Sequence, residues 1–263
     1  MAGYGVQMRR EVPVDSEHLR GRIVVITRPA GTAASLARHV RALGGVPLLL
    51  PGLALRGAAN EAAACAGLHA ALADELVIFT SPAAVRHAAA LTSLQTKATV
   101  LAVGRGTASA LRRFGIDAPL APSRQDSEGL LAHAALQDLQ GRQVALIGAP
   151  GGRGVLREQL AARGAQLREV HVYRRVPPRL DRRHIGALLQ LPDSARVLLS
   201  SAEALQNLQQ LLPAPAWARL RAATAVVSSE RLAVAARATG FVHIVLAGSA
   251  LSADLLDAAR RAR

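Results

Sequence analysis

RIVVITRP, residues 22–29, forms a short apolar run that ends in a turn, and an amphipathic helical pattern follows it as far as Leu43-Gly44-Gly45. Glycine closes helices readily because it adopts the left-handed conformation that a C-cap requires. A second copy, QVALIGAP at residues 143–150, leads into a helical pattern that ends near Gly164. The copies start about 120 residues apart, which is too long for a solenoid repeat and fits a duplicated domain.

Two further pairs of segments keep the same order. VIFTS at residues 77–81 corresponds to VLLSS at 197–201, and VLAVG at 100–104 corresponds to TAVVS at 224–228. A helical pattern follows each of them. Short apolar runs that alternate with helices indicate parallel strands with crossover helices. The sequence therefore predicts an α/β protein made of two similar domains, each with a doubly wound parallel sheet.

Two extended stretches interrupt this alternation and predict strands that link the domains. The linker strands are expected at residues 46–55 and 169–175. The first domain would then comprise residues 21–45 plus 176–263, and the second residues 56–168, with a flexible extension at 1–20. A cleft between two domains is a common ligand site.

Composition restricts the functional classes. Aromatic residues make up only 2% of the chain, and the formal net charge is +14. Such a charge attracts polyanions. Nucleic acid is disfavoured because basic runs are short and base-stacking aromatic residues are scarce. No apolar stretch approaches the roughly 20 residues of a membrane span, and no signal peptide is visible. With one cysteine and no disulfide, we expect a cytoplasmic protein that does not bind membranes.

Hydroxyl-bearing and glycine residues follow the predicted strands, where unpaired helix N–H groups bind anions. Each such residue could be a helix N-cap alone, but recurrence in both halves favours anion binding. The histidines show no metal-ligand spacing, and GRG at residues 104–106 lacks the rest of a dinucleotide motif, so we predict neither metal nor cofactor. The candidates are Thr27, Arg28, Ser81, Gly104, Thr107, Ser200 and Ser201.

Tyr173 is one of only two tyrosines, and it lies in the second predicted linker. A phenol can donate a hydrogen bond or a proton while staying neutral. Packing at the domain joint is the alternative role for this side chain.

Five segments occur in an order that resembles the uroporphyrinogen-III synthase family. Each segment is weak alone, and the combination with the two linkers is more specific. The segments are ITRP at 26–29, FTSPAAV at 79–85, AVGRGTA at 102–108, DSEGLL at 126–131 and VYRR at 172–175.

The resemblance implies two flavodoxin-like domains joined by a two-strand linker. It also implies a cofactor-independent lyase that cyclises hydroxymethylbilane to uroporphyrinogen III, inverting ring D through a spiro intermediate with loss of water. The substrate is a linear tetrapyrrole with eight carboxylates. By resemblance, Tyr173 orients or protonates the leaving hydroxyl, and Ser127 and Gly129 join the substrate-binding set. Ser228 joins it as well, with Ser229 as the alternative, because residues 227–231 read VSSER where the family often has a Gly-Pro-Thr-Thr-like turn.

We expect a monomer, and transient contact with hydroxymethylbilane synthase is a further expectation. Two other functions stay open at this stage. One is a non-catalytic anion-binding or regulatory protein on the same scaffold, because a fold does not fix a function. The other, a nucleic-acid protein, depends on charge alone.

Overall fold

Strands and helices alternate along most of the chain. A computed structural model describes residues 19–124, 127–151 and 154–262. Its strands are β1 (Ile23–Ile26), β2 (Val46–Leu49), β3 (Ala54–Gly57), β4 (Leu76–Phe79), β5 (Thr99–Ala102), β6 (Gln143–Gly148), β7 (Gln166–His171), β8 (Tyr173–Val176), β9 (Arg196–Leu199), β10 (Thr224–Val227) and β11 (Ile244–Leu246). Its α-helices are α1 (Ala34–Ala42), α2 (Glu61–Ala71), α3 (Pro82–Leu91), α4 (Arg105–Arg113), α5 (Ser127–Leu131), α6 (Gly154–Ala162), α7 (Arg182–Leu189), α8 (Ala202–Leu211), α9 (Ala214–Ala222), α10 (Glu230–Ala238) and α11 (Ser252–Arg261), with a 3₁₀ turn at Ala134–Leu136.

The first sheet has five parallel strands in the order β2-β1-β9-β10-β11. Val25 on β1 lies opposite Leu48 on one side and Val197 on the other. One face packs in a core that includes Val25, and the other in a core that includes Val24. Because helices cover both faces, the central strands are apolar at nearly every position.

The second sheet has four parallel strands in the order β5-β4-β6-β7. An isolated parallel bridge between Leu101 and Leu120 extends it beyond β5. The α/β class with parallel sheets is therefore as the sequence predicted. Strand by strand, β7-β6-β4-β5 occupies the same order as β2-β1-β9-β10, which matches the segment pairs found in the sequence.

The chain divides into two compact units. Unit 1 contains the described residues up to Ala54 together with those from Pro177 onward, and unit 2 contains Leu55–Val176. A separate two-stranded sheet consists of β3 and β8. Unit 2 is thus continuous in sequence, whereas unit 1 is made from both ends of the described chain.

The predicted linker strands were too long. Residues 46–49 form β2, an edge strand that pairs with β1, and residues 169–171 belong to β7, an edge strand that pairs with β6. Pro47 is accommodated in β2 because an edge strand has one side that needs no N–H donor.

The predicted N-terminal extension also ends too late. Leu19 is fully buried in the core of unit 1, and its N–H donates to the Leu43 carbonyl at 3.0 Å. An apolar side chain in a core belongs to the domain, so the boundary at residue 20 is wrong. The rest of that extension, residues 1–18, lies outside the described residues. Among those described, no helix is long and apolar enough to cross a bilayer.

Candidate active site

The best-defined polar cluster lies where β4 of unit 2 ends. Ser81 is the N-cap of α3, and its Oγ accepts a hydrogen bond from the Ala84 N–H at 3.0 Å. Pro82 at the first helical position has the φ that the helix needs and lacks an N–H that would otherwise be unpaired. The sequence Ser-Pro thus fixes a hydroxyl at the positive end of the helix.

Tyr173, the first residue of β8, reaches this helix start. Its phenol oxygen lies 3.1 Å from Ser81 Oγ, and the side chain is 7% exposed. A buried phenol normally needs a hydrogen-bond partner, and Ser81 provides one. The two residues, which are far apart in sequence, therefore form one hydroxyl pair at the N-terminus of α3.

His87 of α3 packs flat against the tyrosine ring. The ring centroids are 5.3 Å apart and the planes differ by 14°. Burial, and to a smaller extent the charge of Arg86, lowers the pKa of His87 below its ordinary value of 6.5. At neutral pH the ring stacked on Tyr173 is therefore an uncharged imidazole.

This shift predicts a pH dependence of stability. A histidine whose folded pKa is depressed stays neutral in the folded state while the unfolded state takes up a proton, so stability falls as the pH drops below about 6.5. We expect His87→Gln to lose less unfolding free energy than the unmodified protein between pH 7.5 and 5.5. Urea titrations at both pH values measure this difference. Equal losses in the two proteins would contradict the prediction.

A cavity of about 120 Å³ lies beside the hydroxyl pair. Thr80 and Gly148 help to line it, and a Cβ atom at Gly148 would lie 2.5 Å from the Thr80 hydroxyl oxygen. Glycine is therefore needed for the close approach of the two strand ends. Arg175 also lines the cavity and donates to the Pro150 carbonyl at 2.9 Å. Sequence reasoning did not propose site roles for His87, Gly148 or Arg175.

The other predicted substrate-binding residues of unit 2 lie at or near the starts of α4 and α5. Gly104 is the N-cap of α4, and Thr107 is buried in that helix's first turn. Ser127 is buried at the start of α5. A Cβ at Gly129 would lie 2.1 Å from the Arg124 carbonyl oxygen, so this glycine permits a close backbone contact.

In unit 1, the side chains of the two residues that follow β1 donate hydrogen bonds to backbone carbonyls of the same unit. Thr27 is 2% exposed, and its hydroxyl donates to the Leu198 carbonyl at 2.7 Å, so its single proton ties β1 to β9. The Arg28 guanidinium donates to the Ala250 carbonyl at 3.2 Å. Burial lowers the pKa of Arg28 from its ordinary value.

The serines after β9 and β10 lie at the same edge of the sheet. Ser201 is the N-cap of α8 and accepts from the Ala204 N–H at 3.2 Å, and Ser200 is half-buried beside it. Ser228 is half-buried after β10, and its N–H donates to the Leu199 carbonyl at 3.2 Å. Ser229, the next residue, is the N-cap of α10.

No group of three or more histidine, cysteine, aspartate or glutamate side chains in the described part of the chain could hold a metal ion. The described site offers hydroxyl groups, helix N-termini and an arginine, together with the imidazoles of His87 and His171 and the carboxylate of Glu169. Fold and site together define an α/β protein with parallel sheets whose strand ends present hydroxyl-capped helix N-termini, an arrangement suited to an anionic ligand.

Comparison with known proteins narrows this class to a family. The family model "Uroporphyrinogen-III synthase HemD" matches residues 34–257. The chain belongs to the uroporphyrinogen-III synthase family. It is 32% identical to the uroporphyrinogen-III synthase of Salmonella typhimurium and 31% identical to that of Escherichia coli K12, each over 89% of this chain and 98% of the relative.

Solved structures show the same fold. A mutant uroporphyrinogen III synthase from the thermophilic bacterium Thermus thermophilus aligns with a TM-score of 0.57 at 22% identity, over 90% of this chain and 96% of its own. The Helicobacter pylori uroporphyrinogen-III synthetase aligns with a TM-score of 0.56 at 15% identity, over 90% and 97%.

Proposed function

We propose that the chain is a uroporphyrinogen-III synthase, a cofactor-independent lyase. In this reaction hydroxymethylbilane loses its hydroxyl as water, and the macrocycle closes through a spiro intermediate with ring D inverted. The chain belongs to this family, and the observation that supports the proposal is the Tyr173–Ser81 hydroxyl pair at the N-terminus of α3.

The hydroxyl pair supports a role in the departure of the leaving group. Ser81 Oγ already accepts from the Ala84 N–H, so its own proton is available to Tyr173. A phenol oxygen that accepts this bond becomes a better donor, because neighbouring hydrogen bonds polarise one another. Tyr173 would donate its proton to the leaving hydroxyl and regain one when the cyclised product loses a ring proton.

Charge supports the choice of substrate. The net charge of +14 favours encounter with a tetrapyrrole that carries eight carboxylates. We propose that the N-termini of α3 and α4 in unit 2 and the neighbouring hydroxyls bind some of these groups. Holding the linear chain in the shape that favours the spiro route would then provide most of the catalysis.

A mechanism based on positioning predicts that Ser81→Ala retains partial activity. We expect kcat to fall by about tenfold, because Tyr173 loses one hydrogen-bond partner. Loss of the cap should also lower the unfolding free energy by about 1 kcal/mol. Asn60→Ala is the matched control, since Asn60 caps α2 in the same unit through the Ala63 N–H. Complete loss of turnover by folded Ser81→Ala or Thr107→Ala would rule out a mainly positional mechanism.

The strand order supports a finer assignment of the fold. We propose that each unit is a flavodoxin-like domain, because β2-β1-β9-β10-β11 has the 2-1-3-4-5 order of that class. Unit 2 would be its permuted copy. The short strands β3 and β8 would form the linker. We further propose that the protein acts as a cytoplasmic monomer that receives its substrate through transient contact with hydroxymethylbilane synthase.

The decisive experiment is a coupled assay. Hydroxymethylbilane is generated enzymatically with and without this protein, the products are oxidised, and the uroporphyrin isomers are separated. We expect isomer III to predominate when the protein is present. Isomer I at the level of the control without the protein, from material shown to be folded, would overturn the proposal and favour a non-catalytic anion-binding protein.

A further inference from the structure

A second polar pocket, of about 390 Å³, lies in unit 1 at the amino-terminal ends of the parallel strands. Arg22 precedes β1, Arg196 and Thr224 begin β9 and β10, and His243 precedes β11. The strands are parallel, so this edge is opposite the one where Thr27, Ser200 and Ser228 lie. The pocket is therefore separate from the substrate-binding residues proposed above.

Sheet register brings these side chains to one face. Arg196 lies opposite Val24 on one side and Thr224 on the other. The backbone ladder continues to Arg22, whose carbonyl accepts from the Val46 N–H, and to His243, whose carbonyl accepts from the Ala225 N–H. Since side chains alternate between faces, all four polar residues project from the face that carries Val24.

The rest of that face is apolar, with Ile26, Leu198 and Val226 packed under helices. The four polar residues at the strand starts interrupt this apolar face, because they form a row of basic and hydroxyl side chains across four adjacent strands. Polar groups at a buried sheet end require partners.

The hydrogen-bond acceptors around Arg196 are neutral carbonyl and hydroxyl oxygens. Arg196 is 1% exposed, and its guanidinium donates to the Ser194 and Ala262 carbonyls at 2.7 Å and to the Thr224 hydroxyl at 3.3 Å. Its Nε is buried and has no hydrogen-bond partner in the described ranges. The buried Nε of Arg221, which also lines the pocket, is likewise without one.

Counter-charge is scarce at this pocket. Asp193 is the single acidic residue among the described residues that line it, and it pairs with Arg219 at 3.5 Å. Burial, and to a smaller extent the charge of Arg22, lowers the pKa of Arg196 from its ordinary value. The positive charges of Arg22 and Arg196 thus lie near each other in a partly desolvated pocket, and a bound anion would reduce their repulsion.

We propose that this pocket binds a small oxyanion, held by Arg22 and Arg221 with hydrogen bonds from Thr224 and His243. Guanidinium groups bind phosphate and carboxylate through paired N–H donors, so both chemistries share the recognition. The cavity volume exceeds that of inorganic phosphate and suits an organic phosphate or a small polycarboxylate.

Calorimetric titration and thermal unfolding test the proposal on the full chain without tetrapyrrole. The probes are inorganic phosphate, pyrophosphate and citrate, at constant ionic strength set with chloride. We expect saturable binding and a rise in Tm that follows ligand concentration. Arg22→Gln and Arg221→Gln should each weaken binding by about tenfold. Arg38→Gln, which removes an exposed charge from α1 of the same unit, should change it less than about twofold.

Comparison of the probes separates the sources of the anion. Tighter binding of pyrophosphate than of citrate identifies a phosphorylated ligand, and the reverse identifies a polycarboxylate. His243→Glu adds a negative charge at an exposed position of the pocket, so it should abolish binding even if an arginine variant does not fold. Absence of saturable binding, or equal affinity in all folded variants, would overturn the proposal. Neither result depends on isomer formation, so failure here leaves the synthase assay unaffected.

Discussion

Tyr173→Phe should lower kcat for isomer III formation by about 10- to 100-fold while leaving the fold intact. The substitution removes one oxygen atom and retains the ring that stacks on His87. What is lost is the hydrogen bond to Ser81 and the only proton that the side chain can give to a leaving hydroxyl. Because the remaining catalysis depends on positioning, activity should fall without disappearing.

A double-mutant cycle provides the control for this prediction. If Tyr173 and Ser81 act as one hydrogen-bonded pair, Tyr173→Phe combined with Ser81→Ala should be little slower than Tyr173→Phe alone. Steady-state rates and isomer ratios of the four proteins are the measurement. A wild-type rate for Tyr173→Phe would show that the phenol only packs, which is the alternative role that the sequence left open.

The largest effect on stability is expected from Gly52→Ala, which should reduce the unfolding free energy by about 3 kcal/mol. A Cβ atom at this position would lie 2.5 Å from the Ala204 Cβ and 2.9 Å from its Cα and carbonyl oxygen. The segment cannot simply move away, since the Gly52 N–H donates to the Thr27 carbonyl and its carbonyl accepts from Asn207. Either the N-terminus of α8 or both hydrogen bonds must shift.

Gly186→Ala is the matched control for this substitution. Gly186 lies in α7 and is exposed, and an added Cβ would have no neighbour within 4 Å. Alanine there should raise stability by up to about 1 kcal/mol because it favours the helix. Midpoints of urea denaturation compare the two variants. A Gly52→Ala protein as stable as the wild type would contradict the packing argument.

The sequence predicted the central strands well and the edges poorly. Buried strands such as β4, LVIF at 76–79, are apolar at every position, and this signal depends only on coverage of both faces. The edge strand β7 contains Arg168 and Glu169, and β2 contains Pro47, so neither has that signal. Their place in the sheets is determined by pairing with β6 and β1, which is a property of the tertiary structure.

The same limit applies to the site. Ser81 could be predicted because a capping residue before Pro82 is a local signal. The stacking of His87 on Tyr173 joins residues far apart in sequence, and no local pattern identifies it. Gly148 is a second example, because it must be glycine only on account of the Thr80 hydroxyl, which follows the neighbouring strand β4 and is brought near by the folded sheet.

The split composition of unit 1 has a consequence for the order in which a ribosome can produce it. Unit 2 leaves the exit tunnel as a complete contiguous piece, while β1, α1 and β2 have been made but still lack their sheet partner β9. That early piece must wait until β9 has been translated after unit 2, a delay of several seconds or more at roughly 5–20 residues per second. Arg196 gains its Ala262 carbonyl partner later still, because Ala262 follows it by 66 positions in the chain. Nascent chains should therefore expose one edge of the apolar strand β1 while unit 2 is being made, when they would be good clients for a ribosome-associated chaperone.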